Sequence, residues 1–143
     1  SPERARRLGV EYVDLATLLR ESDVISLHVP LTPATKGMFG RAEFELMEKQ
    51  PILINTARGG VIDPEALLWA LEEGKVWGVG LDVLWQEPPD FDASLYQRLL
   101  ETDNVILSPH CGSNTAEAFR LLTDTCLDNI AHYFAGQPTN VVT

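Results

Sequence analysis

The sequence predicts an α/β fold with a doubly wound parallel sheet covered by helices. The first observation is that strand-like apolar runs alternate regularly with helix-like segments, which is typical of parallel sheets. The second is that runs such as residues 24–29 are apolar at nearly every position, as expected of inner strands buried on both faces. A length of 143 residues, with 45% hydrophobic and 22% charged residues, suits one globular domain.

The predicted elements follow one another along the chain. Strand-like runs lie at residues 11–13, 24–29, 52–55, 77–83 and 105–107. Helix-like segments lie near residues 15–21, 42–49, 64–73, 95–101 and 116–134. Asp14 and Asp63 stand at N-cap positions, Pro64 fits the first position of its helix, and Gly74 is suited to ending that helix.

The last helical segment carries one apolar stripe. Its members recur at spacings of three or four residues: Phe119, Leu122, Cys126, Ile130 and Tyr133. We predict that this stripe packs against the core and that Cys126 is part of that packing.

The charge balance argues against a nucleic-acid partner. The net charge is −10 and the densest basic run is residues 4–7, which we interpret as the solvated face of a first helix. No apolar run approaches the ~18–20 residues of a membrane span, and the amino terminus lacks a signal-peptide core. Cys111 and Cys126 form no metal or redox spacing, so we expect no metal site and a cytoplasmic protein.

Three charged residues follow three strand-like runs. Arg58 precedes Gly59 and Gly60, Glu87 precedes two prolines, and His110 follows Pro109. Ligands of open parallel sheets bind beyond the carboxyl ends of the strands. The three loops can therefore bring an anion clamp, an orienting carboxylate and a proton donor to one crevice.

Each of these side chains also has an ordinary structural interpretation. Arg58 can bind a carboxylate through two parallel hydrogen bonds, or it can be an exposed loop arginine. Glu87 can hold the tautomer of His110 and favour its protonated form, or it can simply belong to a rigid Pro-rich turn, where Trp85 and Gln86 could shape a pocket. Asp82 ends an apolar strand and needs a partner, either a polar ligand such as a carboxamide or a backbone N–H.

Four ordered motifs resemble the D-isomer-specific 2-hydroxyacid dehydrogenase family. They are residues 22–32, residues 53–60, residues 80–83 with 87–88, and Pro109 and His110 with Gly112. The resemblance implies a Rossmann-like fold and hydride transfer between NAD and a 2-keto or D-2-hydroxy acid, with NADP left open. It also implies that Arg58 binds the substrate, that His110 handles the proton on the C2 oxygen and that Glu87 orients His110.

The same resemblance implies a set of cofactor contacts. Asp82 would hold the nicotinamide carboxamide, and Val29 and Pro30 would lie on the adenosine side. The remaining contacts carried over from the family are Thr56, Ala57, Arg58, His110, Gly112 and Ser113. For His28 we prefer a structural role at the end of its strand.

The chain also departs from the family pattern. It contains no Gly-x-Gly-x-x-Gly and no strand ending in an acidic residue for the ribose. We therefore expect residues 1–143 to be a partial dinucleotide-binding domain that lacks the first strands and the Gly-rich loop, with the separate substrate domain absent. An inner strand edge would then be exposed, which favours an unstable, swapped or homodimeric chain. The alternatives to an enzyme are a non-enzymatic NAD(H)-sensing or protein-interaction module of the same fold, or an inactive truncated fragment.

Overall fold

The structure is a computed structural model, and it describes residues 2–142. The chain divides into two compact units, one ending at Pro109 and the other beginning at His110. In the first unit the elements are α1 (Pro2–Leu8), α2 (Leu15–Glu21), β1 (Val24–Leu27), α3 (Arg41–Glu45), β2 (Ile52–Asn55), a 3-10 turn (Gly59–Val61), α4 (Pro64–Glu72), β3 (Gly78–Leu81), α5 (Ser94–Leu100) and β4 (Val105–Leu107). The second unit contains α6 (Ala116–Phe134).

The four strands form one parallel sheet in the order β1-β2-β3-β4. Leu27 pairs with Asn55, Asn55 with Leu81, and Leu81 with Leu107, so the carboxyl ends of all four strands are level. The loops that follow the strands therefore leave the sheet from one edge. This confirms the predicted parallel α/β fold.

The helix boundaries follow from capping. The carboxylate of Asp14 accepts a hydrogen bond from the backbone N–H of Thr17 at 2.8 Å, and that of Asp63 accepts one from Ala66 at 2.8 Å. Both satisfy N–H groups that the first turn of a helix leaves unpaired. Gly74, with φ of 65°, adopts the left-handed conformation that often ends a helix. The predicted caps and stop are confirmed.

The core of the first unit lies between the sheet and helices α2 to α5. Leu19, Phe44, Leu67 and Leu99 come from those four helices and are fully buried, as is Leu53 of β2. Burying each such side chain contributes about 1.5–3 kcal/mol. The site loops are thus anchored on a packed scaffold.

The prediction of a strand at residues 11–13 was wrong. This segment is irregular and exposed, and within residues 2–142 no strand of the sheet lies beside it to accept its hydrogen bonds. The prediction that residues 24–29 form a strand buried on both faces was also wrong. β1 is the edge of the described sheet, it ends at Leu27, and its burial alternates, with Ile25 and Leu27 buried and Val24 55% exposed.

The prediction that the last helix packs into the core was wrong as well. The structure assigns no buried residue to α6, and Cys126 is exposed together with the rest of the apolar stripe. The unit that begins at His110 holds a single described helix, and a lone helix has no second layer within its unit against which to bury a stripe. Within residues 2–142 no helix combines the length and the apolar character needed to cross a membrane.

Candidate functional site

A cleft opens at the carboxyl edge of the sheet, between the loops after β1 and β2. Its volume is about 680 Å³, within the range of small-molecule and cofactor sites. Its lining residues are His28, Val29, Pro30, Leu31, Thr56, Ala57 and Arg58. The structure thus brings together five of the residues predicted for the cofactor: Val29, Pro30, Thr56, Ala57 and Arg58.

Asn55 holds the loop that carries Arg58. Its side chain is 0% exposed and closes strand β2. Its Oδ1 accepts from the backbone N–H of Ala57 at 3.0 Å, and its Nδ2 donates to the carbonyl oxygen of Arg58 at 3.0 Å. Two hydrogen bonds from one buried side chain fix the turn that projects the guanidinium. Sequence reasoning missed this residue, although a polar side chain at the end of an apolar strand was the available signal.

The guanidinium of Arg58 is exposed at the cleft. Its Nη1 donates to the carbonyl oxygen of Ala57 at 2.6 Å, which orients the side chain over its own loop. A guanidinium has five N–H donors arranged in a planar fork. Arg58 is therefore suited to binding a carboxylate in the cleft.

The loop after β1, which forms the other wall of the cleft, is held by short hydrogen bonds. The hydroxyl of Thr35 donates to the carbonyl oxygen of Pro30 at 2.6 Å and accepts from the backbone N–H of Thr32 at 2.8 Å. Nε2 of His28 lies 2.9 Å from Oγ of Ser26, consistent with the predicted structural role, while the same imidazole also lines the cleft.

Asp82 lies half-buried at the end of β3. Its backbone N–H donates to the carbonyl oxygen of Asn55 at 3.0 Å, and its Oδ1 accepts from the hydroxyl of Ser108 at 2.6 Å. Ser108, which follows β4, was not singled out from the sequence. The carboxylate is thus held by a side-chain hydroxyl across the two neighbouring strands, at the same edge of the sheet as the cleft.

Glu87 lies in the turn that follows β3, and its peptide bond to Pro88 is cis. Its Oε1 accepts from the backbone N–H of Leu84 at 3.3 Å, and the backbone N–H of Gln86 donates to the hydroxyl of Tyr96 at 3.2 Å. The carboxylate is exposed but tied to its own turn. These hydrogen bonds agree with a rigid turn, and they hold the carboxylate of Glu87 at a defined position.

The second unit contains the remaining predicted residues, His110, Gly112 and Ser113, all exposed. His110 has φ of 52°, a left-handed conformation that costs energy for a residue with a Cβ and that recurs at functional sites. The turn that follows is closed by a hydrogen bond from the backbone N–H of Asn114 to the carbonyl oxygen of Cys111 at 2.9 Å. It leads into α6.

A parallel sheet with a cleft at the carboxyl ends of its strands is the architecture of dinucleotide-binding domains. Residues 1–112 match the family described as "D-isomer specific 2-hydroxyacid dehydrogenase, NAD binding domain". The chain belongs to this family, as the resemblance of its motifs indicated.

Relatives named as dehydrogenases or reductases are similar over most of the chain. A glycerate dehydrogenase from Methylorubrum extorquens is 48% identical over 132 residues, which are 91% of this chain and 41% of that protein. A glyoxylate reductase from Thermococcus litoralis is 46% identical over 142 residues, 99% of this chain and 41% of that protein. The chain therefore spans about two fifths of the length of these relatives.

A solved structure shows the same fold. The NAD-complexed D-isomer specific 2-hydroxyacid dehydrogenase from Lactobacillus delbrueckii ssp. bulgaricus matches with a TM-score of 0.86 and 32% sequence identity, covering 100% of this chain and 46% of that one. The predicted Rossmann-like fold is thereby confirmed. The bound NAD belongs to the solved structure of the Lactobacillus protein.

Proposed function

We propose that this chain functions as part of an oxidoreductase that transfers a hydride between NAD and a small 2-keto or D-2-hydroxy acid. The observation that carries the proposal is the cleft at the sheet edge, where buried Asn55 holds the backbone of the loop that presents the exposed guanidinium of Arg58. Family membership supports the cofactor, because the family is that of an NAD-binding domain. The names of two relatives, glyoxylate reductase and hydroxypyruvate reductase, point to short 2-keto acids as substrates.

The cleft suits one side of a dinucleotide. Val29, Pro30 and Leu31 give it an apolar wall for an adenosine, while Thr56 and the backbone of Ala57 provide polar groups opposite. We propose Asp82 for the carboxamide, because its carboxylate is already held at the same edge by Ser108. When bound, NAD supplies or accepts the hydride, and NADP remains an alternative.

The chain's own side chains would bind the substrate and handle its proton. Arg58 pairs with the substrate carboxylate and polarises the neighbouring carbonyl. Protonated His110 gives its proton to the C2 oxygen as negative charge develops there, which stabilises the transition state. Glu87 orients the imidazole of His110, and Gly112 and Ser113 contact the cofactor.

The proposal is tested by following NADH oxidation with glyoxylate and with hydroxypyruvate. The unaltered protein should reduce at least one of them. Replacing Arg58 by alanine should lower kcat/KM by about 10–100-fold, the range expected when a charged hydrogen-bonding partner is lost. The matched control is Arg20→Ala, which should leave kcat/KM unchanged. Arg20 is an exposed arginine of α2, and it forms an ion pair with Glu48.

Two results would contradict this assignment. Turnover that survives Arg58→Ala would remove Arg58 from the site. Saturable NADH binding without turnover of either acid would favour the alternative of a cofactor-sensing module.

A further inference from the structure

The loop after Arg58 and the turn that carries Glu87 touch backbone to backbone. Gly59 and Leu84 are both buried, and a Cβ on Gly59 would lie 2.7 Å from the backbone nitrogen of Trp85 and closer still to the carbonyl group of Leu84. Real Cβ atoms do not approach backbone atoms so closely. The two segments therefore meet without any intervening side chain, and a movement of one is transmitted to the other.

Trp85 joins the same two segments by a hydrogen bond. Its indole Nε1–H donates to the carbonyl oxygen of Ile62 at 2.7 Å, and the ring is half-buried. Ile62 itself is 1% exposed. The chain beside Ile62 is fixed as well, because the N–H of Asp63 donates to the carbonyl oxygen of Phe39 at 3.0 Å. The indole is thus hydrogen-bonded to a buried segment whose backbone is itself held by a hydrogen bond.

The turn around Trp85 is connected directly to Glu87. The preceding residue, Leu84, donates its backbone N–H to the carboxylate of Glu87, and the following residue, Gln86, donates its own to the hydroxyl of Tyr96. Tyr96 is 3% exposed on α5 and is therefore fixed in the core. The hydrogen bond of the indole therefore fixes Trp85 between two residues that are themselves held. The amide of Leu84 is bonded to Glu87, and the amide of Gln86 is bonded to the core residue Tyr96.

We propose that Trp85 is a positioning residue that holds the turn 84–87 against the segment after Arg58 and so fixes the carboxylate of Glu87 relative to the guanidinium. The inference rests on the proposed function in one respect, the role of Glu87 during turnover. The contact itself can be tested without any substrate.

The first test removes the indole N–H. Trp85→Phe keeps an aromatic ring but leaves the carbonyl oxygen of Ile62 without its donor. Hydrogen exchange of the amides in residues 84–87 should become about tenfold faster, as expected when a hydrogen bond contributing about 1.4 kcal/mol is lost. The matched control is Trp77→Phe, because Trp77 is 63% exposed, and it should not change exchange in residues 84–87.

A second variant separates the lost hydrogen bond from altered packing. Introducing 3-benzothienylalanine at position 85 keeps the shape of tryptophan and removes only the N–H donor. If Trp85→Phe does not fold, this variant decides the question by the same exchange measurement. Unchanged exchange in the variant would overturn the proposal.

The second test concerns turnover. With glyoxylate or hydroxypyruvate, Trp85→Phe should lower kcat several-fold while leaving the KM for NADH unchanged. The value of kcat is expressed per folded molecule, with the folded fraction of each variant taken from denaturant unfolding. A purely structural role would leave kcat per folded molecule unchanged, and this result would overturn the proposal.

The two tests also separate this inference from the proposed function. If the unaltered protein reduces neither acid, the proposed function fails, and the exchange measurement alone decides whether Trp85 holds the turn. If turnover is present and exchange is unchanged, the positioning role fails while the proposed function stands.

Discussion

Gly59 lies at the closest approach between the loop of Arg58 and the turn of Glu87. Gly59→Ala would force a Cβ into the backbone of Leu84 and Trp85, which no side-chain rotation can relieve. We expect this substitution to destabilise the protein by about 1–3 kcal/mol, the usual cost of overpacking. The control is Gly80→Ala in β3, where a Cβ meets no atom within 4 Å. Denaturant unfolding of both variants measures the difference, and equal stability would contradict the close packing of the two loops.

Individual side chains were predictable from the sequence only where their chemistry was conspicuous. Arg58 stood out because a charged residue between an apolar strand and two glycines is suited to binding an anion. The function of Asn55 could not be derived in the same way, because its two hydrogen bonds exist only after the chain turns back over the end of β2. Ser108 escaped notice for a similar reason, since it meets Asp82 only through the pairing of β3 with β4.

The N-cap of α2 makes a pH-dependent contribution at the scale of one element. The hydrogen bond from the backbone N–H of Thr17 lowers the pKa of Asp14 below that of an ordinary aspartate, and the hydroxyl of Thr17 acts in the same direction. A carboxyl whose pKa is lower in the folded state contributes stability that is present above its unfolded pKa of about 3.9. That contribution is lost as the pH falls through the lowered pKa of the folded state.

This dependence can be isolated with Asp14→Asn, which keeps a cap oxygen but cannot titrate. The unfolding free energy of the unaltered protein should fall more steeply below about pH 4 than that of the variant. Asp103→Asn, at an exposed aspartate before β4, serves as a control that should follow the unaltered protein. Parallel profiles for the unaltered protein and Asp14→Asn would show that the cap does not contribute in this way.

Elements were predictable where local signals decide them. The bounds of α2, β2, β4 and α6 agree with the apolar periodicity and the caps that predicted them. Burial was less predictable, because it depends on which layers surround an element. Residues 11–13 have strand-like composition but no neighbouring strand among residues 2–142, and the stripe of α6 has helical spacing but no second layer within its unit.

At the scale of the whole molecule, the outer edge of the sheet bears on whether the chain associates with a second copy. β1 is the outer strand of the described sheet, and its apolar Val24 is exposed. Such an edge can pair with another chain, and charged residues on the edge suppress the pairing. We therefore propose that the chain forms a homodimer, and light scattering should report a mass near twice that of 15.8 kDa.

The substitution Val24→Lys should shift that equilibrium toward the monomer. Val141→Lys, at another exposed valine outside the sheet, should leave the dimer intact. A monomer at all accessible concentrations would contradict the proposed association, and a dimer insensitive to Val24→Lys would place the interface elsewhere.

The most direct test of cofactor binding at the sheet edge is a calorimetric titration of NADH at neutral pH. Thr56→Trp places a bulky ring in the cleft, while Thr139→Trp adds the same ring at an exposed position of the second unit. We predict saturable binding to the unaltered protein and to Thr139→Trp, and binding at least about tenfold weaker, or a loss of at least about 1.4 kcal/mol, for Thr56→Trp. Absence of saturable binding, or binding that Thr56→Trp leaves unchanged, would contradict the assignment of this cleft to the cofactor.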